Sequence, residues 1–288
     1  MKLIVAFNIG AGVILAGATL GLGILTSRLL HDTAKRNVVK QAQLMLDSAV
    51  ATRAYTSAEI VPLLNAHIQS EFLPQSIPFY AATQNFLRLR EQHPQYAYKE
   101  ATLNPTNPRD RAMDWEADLI QQFRNDATLK QLLGERDTPT GRAIYLARPI
   151  RAAAECMECH GLAESAPKTL LSRYGANNGF GWAVDEVVGT QVVSVPASGA
   201  EDDAYRAWVD IMAVIVAVFV VLWASLNTAL FLLVIRPIGR MTAIVDAIST
   251  GNPVEDFPRQ PVADLSALSR AFERMRTSLE KAMKMIDS

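Results

Sequence analysis

Two uncharged apolar runs frame the chain. Leu3–Leu25 holds 23 positions without a charge, rich in Gly, Ala, Leu and Ile, with Asn8 and Thr19 as its clearly polar members. A helix rises about 1.5 Å per residue, so a run of this length reaches across a bilayer core of about 30 Å. Ile211–Ile235 is a second run of 25 uncharged residues, entered through Tyr205 and Trp208 and left through Arg236. Aromatic side chains favour the membrane interface and arginine favours the cytoplasmic end. The pattern predicts transmembrane helices over residues 1–26 and 208–235. A secretory signal peptide is the other reading of the first run. Its apolar core is typically about 7–15 residues and precedes a small-residue cleavage site, so an uncleaved signal anchor is expected.

Between the runs, residues 27–207 change period several times. Apolar positions from Val38 through Leu44, Leu46 and Ala49 recur at helical spacing and predict a long helix continuing out of the first span. Pro62–Phe72 and Phe79–Arg90 read as helices separated by Pro74 and Pro78, and Asn104-Pro105-Thr106-Asn107-Pro108 reads as a turn cluster. Arg111–Leu133 predicts a helix ending at Gly134. Arg142–Arg151 and Trp182–Val195 are β-branched, partly alternating and flanked by Gly and Pro, and predict strands. Helices followed by strands give an α+β domain, PAS-like in type.

Beyond Arg236-Pro237 the tail, residues 236–288, repeats Ile238, Met241, Val245 and Ile248. After Gly251-Asn252-Pro253 and a proline-rich connector it repeats Leu265, Leu268, Phe272, Met275, Leu279, Ala282 and Ile286, all at steps of 3 and 4. One chain's pair of helices covers such seams only in part, whereas two chains forming a parallel four-helix bundle bury them. The tail resembles the HAMP linker, with its proline just after a membrane helix and Val254 and Phe257 as apolar anchors of the connector. An amphipathic helix lying on the membrane is the alternative and calls for a basic polar face. Here 8 basic residues meet 7 acidic ones, which favours the HAMP-like reading and a homodimer.

Composition sharpens this layout. Of 288 residues half are hydrophobic, yet only 7% are aromatic and 20% charged, as two Ala-, Val- and Leu-rich spans in contact with membrane lipid require. Net charge is −1, which removes nucleic acid as a partner. Positive charge leaves orientation open: Arg236 and Arg240 mark the far side of the second helix as cytoplasmic, whereas Arg28, Lys35, Arg36 and Lys40 follow the first helix and only Lys2 precedes it.

The chain's two cysteines lie in Cys156-Met157-Glu158-Cys159-His160, a C-x-x-C-H pentad. Two thiols three positions apart suit thioether bonds to the two vinyl groups of a haem, and an imidazole directly after the second suits the iron. A thioredoxin-like pair, a structural zinc site and a local disulfide are the alternatives, the first needing no histidine and the second a further ligand pair. The expectation is one covalent haem c per chain, held by Cys156 and Cys159, with His160 as proximal ligand. Haem c is attached outside the bacterial cytoplasmic membrane. The central region is therefore expected in the periplasm, the spans in the inner membrane and both termini in the cytoplasm. For the sixth position His67 is the best histidine candidate and Met45 or Met113 could supply a thioether; the site could also be open to water or gas. His31, close to the membrane end of the first helix, and His93 are the remaining imidazoles.

Several segments carry a resemblance: Arg53–Thr56, Tyr98–Ala112 with Trp115-Glu116, Tyr145–Arg151 ahead of the pentad, and Tyr174–Pro196. They resemble a bacterial family of periplasmic c-haem PAS-like domains often found ahead of signalling modules. The resemblance covers nearly all of the central region and implies a haem-based sensor with Cys156, Cys159 and His160 at the haem. Some members use a distal cysteine, which does not carry over because this chain has no third cysteine. The expected function is a homodimeric membrane haem sensor that couples periplasmic redox state or a small gas ligand to the tail, with output through a separate signalling protein. The alternative is a membrane-anchored cytochrome that passes electrons to a redox partner. Paired carboxylates, a nucleophile constellation and a phosphate loop are all missing from the sequence, so an enzyme is not expected.

Overall fold

A computed structural model describes residues 3–68, 70–139, 141–250 and 262–286. In chain order the elements are α1 (Leu3–Tyr55), α2 (Val61–Ile68), α3 (Pro78–Gln92), β1 (Ala97–Thr102), α4 (Asp114–Asn125), β2 (Leu132–Thr138), β3 (Gly141–Arg151), α5 (Met157–His160), α6 (Lys168–Tyr174), β4 (Val187–Pro196), α7 (Ser198–Leu230), α8 (Arg236–Ser249) and α9 (Ala263–Ile286). The chain divides into two compact units, Ser27–Ala207 and Met1–Thr26 with Trp208–Ser288.

The Ser27–Ala207 unit is built on one antiparallel sheet in the order β1-β4-β3-β2. The two central strands are the most apolar: β4 is buried from Val187 through Val195, and β3 buries Ala143, Ile144, Leu146 and Ala147. One face packs on α1 and α3, where Val38, Ala42, Leu46 and Ala49 repeat at helical spacing against Phe86, Tyr98, Ile144, Val193 and Val195. The other face packs on α4 through Leu119, Ile120 and Phe123 against Ala147, Val187 and Val192. The sequence pattern and the structure agree on a mixed α+β unit with α1 continuing well past the apolar run.

The predicted helix over Arg111–Leu133 is shorter than expected. It starts at Asp114, where the Glu116 carboxylate accepts a hydrogen bond from the Met113 N–H at 2.8 Å. It ends where Asp126 Oδ1 accepts from the Thr128 N–H and hydroxyl, an Asx-turn that competes with the helical hydrogen bond. Leu132–Thr138 is a strand with alternating exposure, and Gly134 sits inside it rather than capping a helix, because a Cβ at that position would strike the Tyr145 ring on β3. Strand β1 was not anticipated, and the strand expected from Trp182 starts at Val187, after a turn in which Asp185 takes a positive φ of 66°. Pro62–Phe72 likewise shortens to α2.

In the other unit, the apolar parts of α1 and α7 are long and apolar enough to cross a membrane. Two of their polar side chains bond back within the helix: Asn8 Nδ2 donates to the Ile4 carbonyl and Thr19 Oγ1 to the Leu15 carbonyl, both at 2.8 Å, while Asn8 Oδ1 has no partner. The Trp208 indole N–H donates to the Gly23 carbonyl at 2.9 Å. Helices α8 and α9 pack on one another, with Met241 buried and Ile238, Leu268, Met275 and Leu279 exposed. Gly251, Asn252, Pro253, Val254 and Phe257 lie outside the described residues, as do the side chains of Ala282 and Ile286.

Both long helices widen into π-helical turns, at Thr56–Ile60 and Phe231–Ile235. A single residue separates each turn from a proline, Pro62 or Pro237. A proline lacks the N–H that would bond the carbonyl four residues back and its ring crowds that carbonyl. Those carbonyls belong to Ala58 and Leu233, the central residue of each π turn.

Glu116 is 2% exposed and also takes Lys99 Nζ at 2.6 Å. Glu116→Ala is expected to cost about 2–4 kcal/mol, since it removes a helix cap and leaves a half-buried ammonium unpaired. Glu116→Gln should lose less because it keeps an acceptor for the Met113 N–H. Unfolding midpoints of the three proteins check the order.

Candidate functional site

The pentad lies between β3 and α6. Cys156 closes a short 3-10 turn and Met157–His160 forms the single-turn α5, so three-residue spacing carries both thiols to one side of the same turn. Both thiols are free and half-buried. Cys156 and Met157 pack with Phe79 and Trp182 on a cluster of Ile150, Ala152 and Val188. Burial is the main cause that pushes the Cys159 thiol up, with Glu158 and Cys156 adding to it. This is opposite to the activated thiolate of a thioredoxin-like pair. Among the described residues no group of three or more His, Cys, Asp or Glu gathers as a zinc site would need.

His160 is held on three sides. Its Nδ1 lies 2.7 Å from the Gly179 carbonyl. A carbonyl only accepts, so Nδ1 carries the hydrogen and the neutral ring keeps a lone pair on Nε2. The Trp182 ring stacks on the imidazole, centroids 4.0 Å apart and 11° from parallel. Thr106 Oγ1 stands 3.4 Å from the same Nδ1. Burial holds the imidazole below its ordinary titration range, against the Gly179 hydrogen bond, which raises it. The neutral, metal-binding form is therefore favoured.

Backbone geometry makes this cradle. Gly181 N–H donates to the Gly161 carbonyl at 2.7 Å and Trp182 N–H to the His160 carbonyl at 3.1 Å, so the 179–182 segment runs alongside the pentad. Gly179 has φ +82°, and a Cβ there would lie 2.8 Å from the Thr106 nitrogen and closer still to its hydroxyl. Only glycine lets the segment pass between Thr106 and His160.

Residues 31–196 match the Tll0287-like (Tll0287) family model. The chain belongs to the Tll0287-like family. It is also similar to the crystal structure of the cyanobacterial heme-protein Tll0287, with 15% identity, a TM-score of 0.44, and coverage of 55% of this chain and 94% of that one. No curated protein matches the chain. The Tll0287-like segment contains all three stretches that meet at His160: the proline-rich turn with Thr106, the pentad, and the glycine pair with Trp182.

The other site residues proposed from sequence are not grouped with the cysteines. His67 is exposed on α2. Met45 packs from α1 on the cluster of Val38, Leu46 and Val193. Met113 is exposed at the start of α4, and His93 is exposed with its ring against Tyr96. His31 borders a small pocket with Lys35, Glu135 and Arg142. Sequence reasoning missed Gly179, Thr106 and Trp182 as partners of His160, although Gly179 and Gly181 flanking Phe180 ahead of Trp182 were a signal that the backbone there passes something closely.

Gly179→Ala should destabilise the protein more than Gly181→Ala. Both incur an unfavourable φ, about 1–3 kcal/mol, but a Cβ added at Gly181 meets nothing within 4 Å whereas one at Gly179 meets Thr106. Urea midpoints of the two variants test this.

Proposed function

We propose that residues 27–207 are a periplasmic haem c domain of PAS-like type and that the chain is a membrane-bound sensor and signal transducer. The observation that carries the reading is the Nδ1–H bond of His160 to Gly179, which leaves Nε2 unprotonated on the turn that bears two free thiols. Such a hydrogen bond fixes the tautomer and ring orientation of a metal-binding histidine. The donor set fits haem c: Cys156 and Cys159 would form the two thioethers and His160 would ligate the iron. Bound haem would supply one-electron chemistry and the capacity to take up a small ligand. Trp182 stacks on the imidazole, Gly179 holds its proton on Nδ1, and Phe79 and Met157 pack in one cluster with Cys156. Membership of a family named after Tll0287, a heme protein, supports the same assignment.

Helices over 1–26 and 208–235 would anchor the domain in the inner membrane, with both termini cytoplasmic. The tail would act as a HAMP-like module in a homodimer, since Leu268, Met275 and Leu279 remain exposed on α9 in one chain and a second chain would bury them. A change in iron oxidation state or a small gas ligand would bias two packings of these helices, and output would pass to a separate cytoplasmic protein.

Acid-acetone extraction of the purified chain should leave its haem attached, and Cys156→Ser with Cys159→Ser should lose it. A spectrum without covalently retained haem overturns the assignment. Titration with CO and NO should change the absorption spectrum; a haem indifferent to both that exchanges electrons rapidly with a cytochrome would replace the sensor by an electron carrier.

A further inference from the structure

One buried titratable group takes no part in this reading. Glu100 on β1 is 5% exposed. Its Oε1 accepts a hydrogen bond from the Tyr98 hydroxyl, which accepts one from Gln191 Nε2 on β4 at 3.4 Å. Tyr98 is itself stacked on Phe86 of α3, centroids 4.4 Å apart. The charges that act on the carboxyl come from Arg53 of α1 and from Asp110, just after the proline-rich turn. Lys99, next along the strand, is engaged by Glu116. Burial outweighs the rest and pushes the Glu100 carboxyl up to about 8, with Asp110 adding to the rise and Tyr98, Arg53 and Gln191 opposing it.

Arg53 is not committed to Glu100. Its guanidinium carbon lies 3.6 Å from the centroid of the Phe79 ring, and its buried Nε has no hydrogen-bond partner. Phe79 in turn packs on the cluster that holds Cys156 and Trp182. One guanidinium thus stacks on an aromatic wall of the candidate site while its charge acts on a buried carboxyl. A buried carboxyl with its proton is tolerable in such a place, whereas a carboxylate requires a counter-ion.

We infer that Glu100 and Arg53 form a proton-operated switch beside the Cys156–His160 site. With Glu100 protonated, Arg53 stays stacked on Phe79. When the proton leaves for water, the guanidinium becomes the counter-ion of the carboxylate and draws away from the ring, changing the packing next to Cys156. One proton moves and no electron does. The inference rests on the haem reading only for what the site binds, and adds pH as a regulator of it.

Infrared difference spectra of the full chain in lipid nanodiscs, taken from pH 5 to 10, test the switch. The wild type should lose a protonated-carboxyl band with a midpoint near pH 8, and Glu100→Gln should lack it. Arg53→Met should raise the midpoint, because a favourable positive charge is gone, and Asp110→Asn should lower it, because a repelling negative charge is gone. In the haem-loaded chain the absorption spectrum should shift with the same midpoint, and not in Glu100→Gln. Linkage gives a check independent of haem. The folded-state value of Glu100 lies above its ordinary 4.5, so its stabilisation is complete below about 4.5 and is lost as pH rises through about 8; Glu100→Gln should remove that decline. A carboxyl band that persists in Glu100→Gln, or a midpoint unmoved by Asp110→Asn, overturns the switch. Loss of haem on extraction overturns the haem reading alone, and the carboxyl titration still decides for or against the switch.

Discussion

The hydrogen bond from His160 Nδ1 to the Gly179 carbonyl constrains everything near it. It requires the 179–182 segment to run beside the pentad, which requires a positive φ at Gly179 and no side chain there, which in turn requires Thr106 to close the far side. Three stretches distant in the chain are thereby fixed to one imidazole. The sheet serves this arrangement: β3 leads into the turn of Cys156, and β4 leaves directly after Trp182 and Asp185. The antiparallel pairing of β3 with β4 keeps those ends together, from Arg151 opposite Val187 onward.

The same neighbourhood handles burial of charge in two ways. Lys99 and Glu116 form a close pair with a backbone N–H as a further partner, so the carboxylate is satisfied in place. Glu100, one residue along from Lys99, lies on the opposite face of the strand and meets a tyrosine rather than a cation. Alternation along β1 therefore separates a stable ion pair from a carboxyl that prefers its proton. Local pairing is cheap to satisfy permanently; a group held between two states is what a responsive site requires.

Periodic apolar patterns made the long helices and the two central strands legible, because Val38 to Ala49 and Ile144 to Leu146 each repeat with the period of their element. The errors fell where one residue has two uses. Gly134 reads as a helix stop, but its lack of a side chain makes room for Tyr145. Asp126 is an ordinary helix-surface residue until Thr128 is placed to form an Asx-turn with it. In the candidate site the pentad was legible because thiol and imidazole chemistry restricts spacing. The partners of His160 were not: a backbone carbonyl has no sequence signature, and Thr106, 54 residues before His160, and Gly179, 19 residues after it, become its neighbours only through tertiary structure.

The paired π turns show how one local rule recurs under different surroundings. Thr56–Ile60 lies in the Ser27–Ala207 unit and Phe231–Ile235 follows the apolar helix α7, yet each precedes a proline by the same interval. The carbonyl to which the proline cannot donate is the central one in each turn, so the widening follows from the missing N–H and needs no tertiary contact to explain it. Hydrogen bonds in such a turn depart from the i to i−4 pattern of the regular helix. Arg53 stands three residues before the first of these turns. A side chain that exchanges Phe79 for Glu100 would therefore act within one turn of the place where α1 leaves the regular helical pattern.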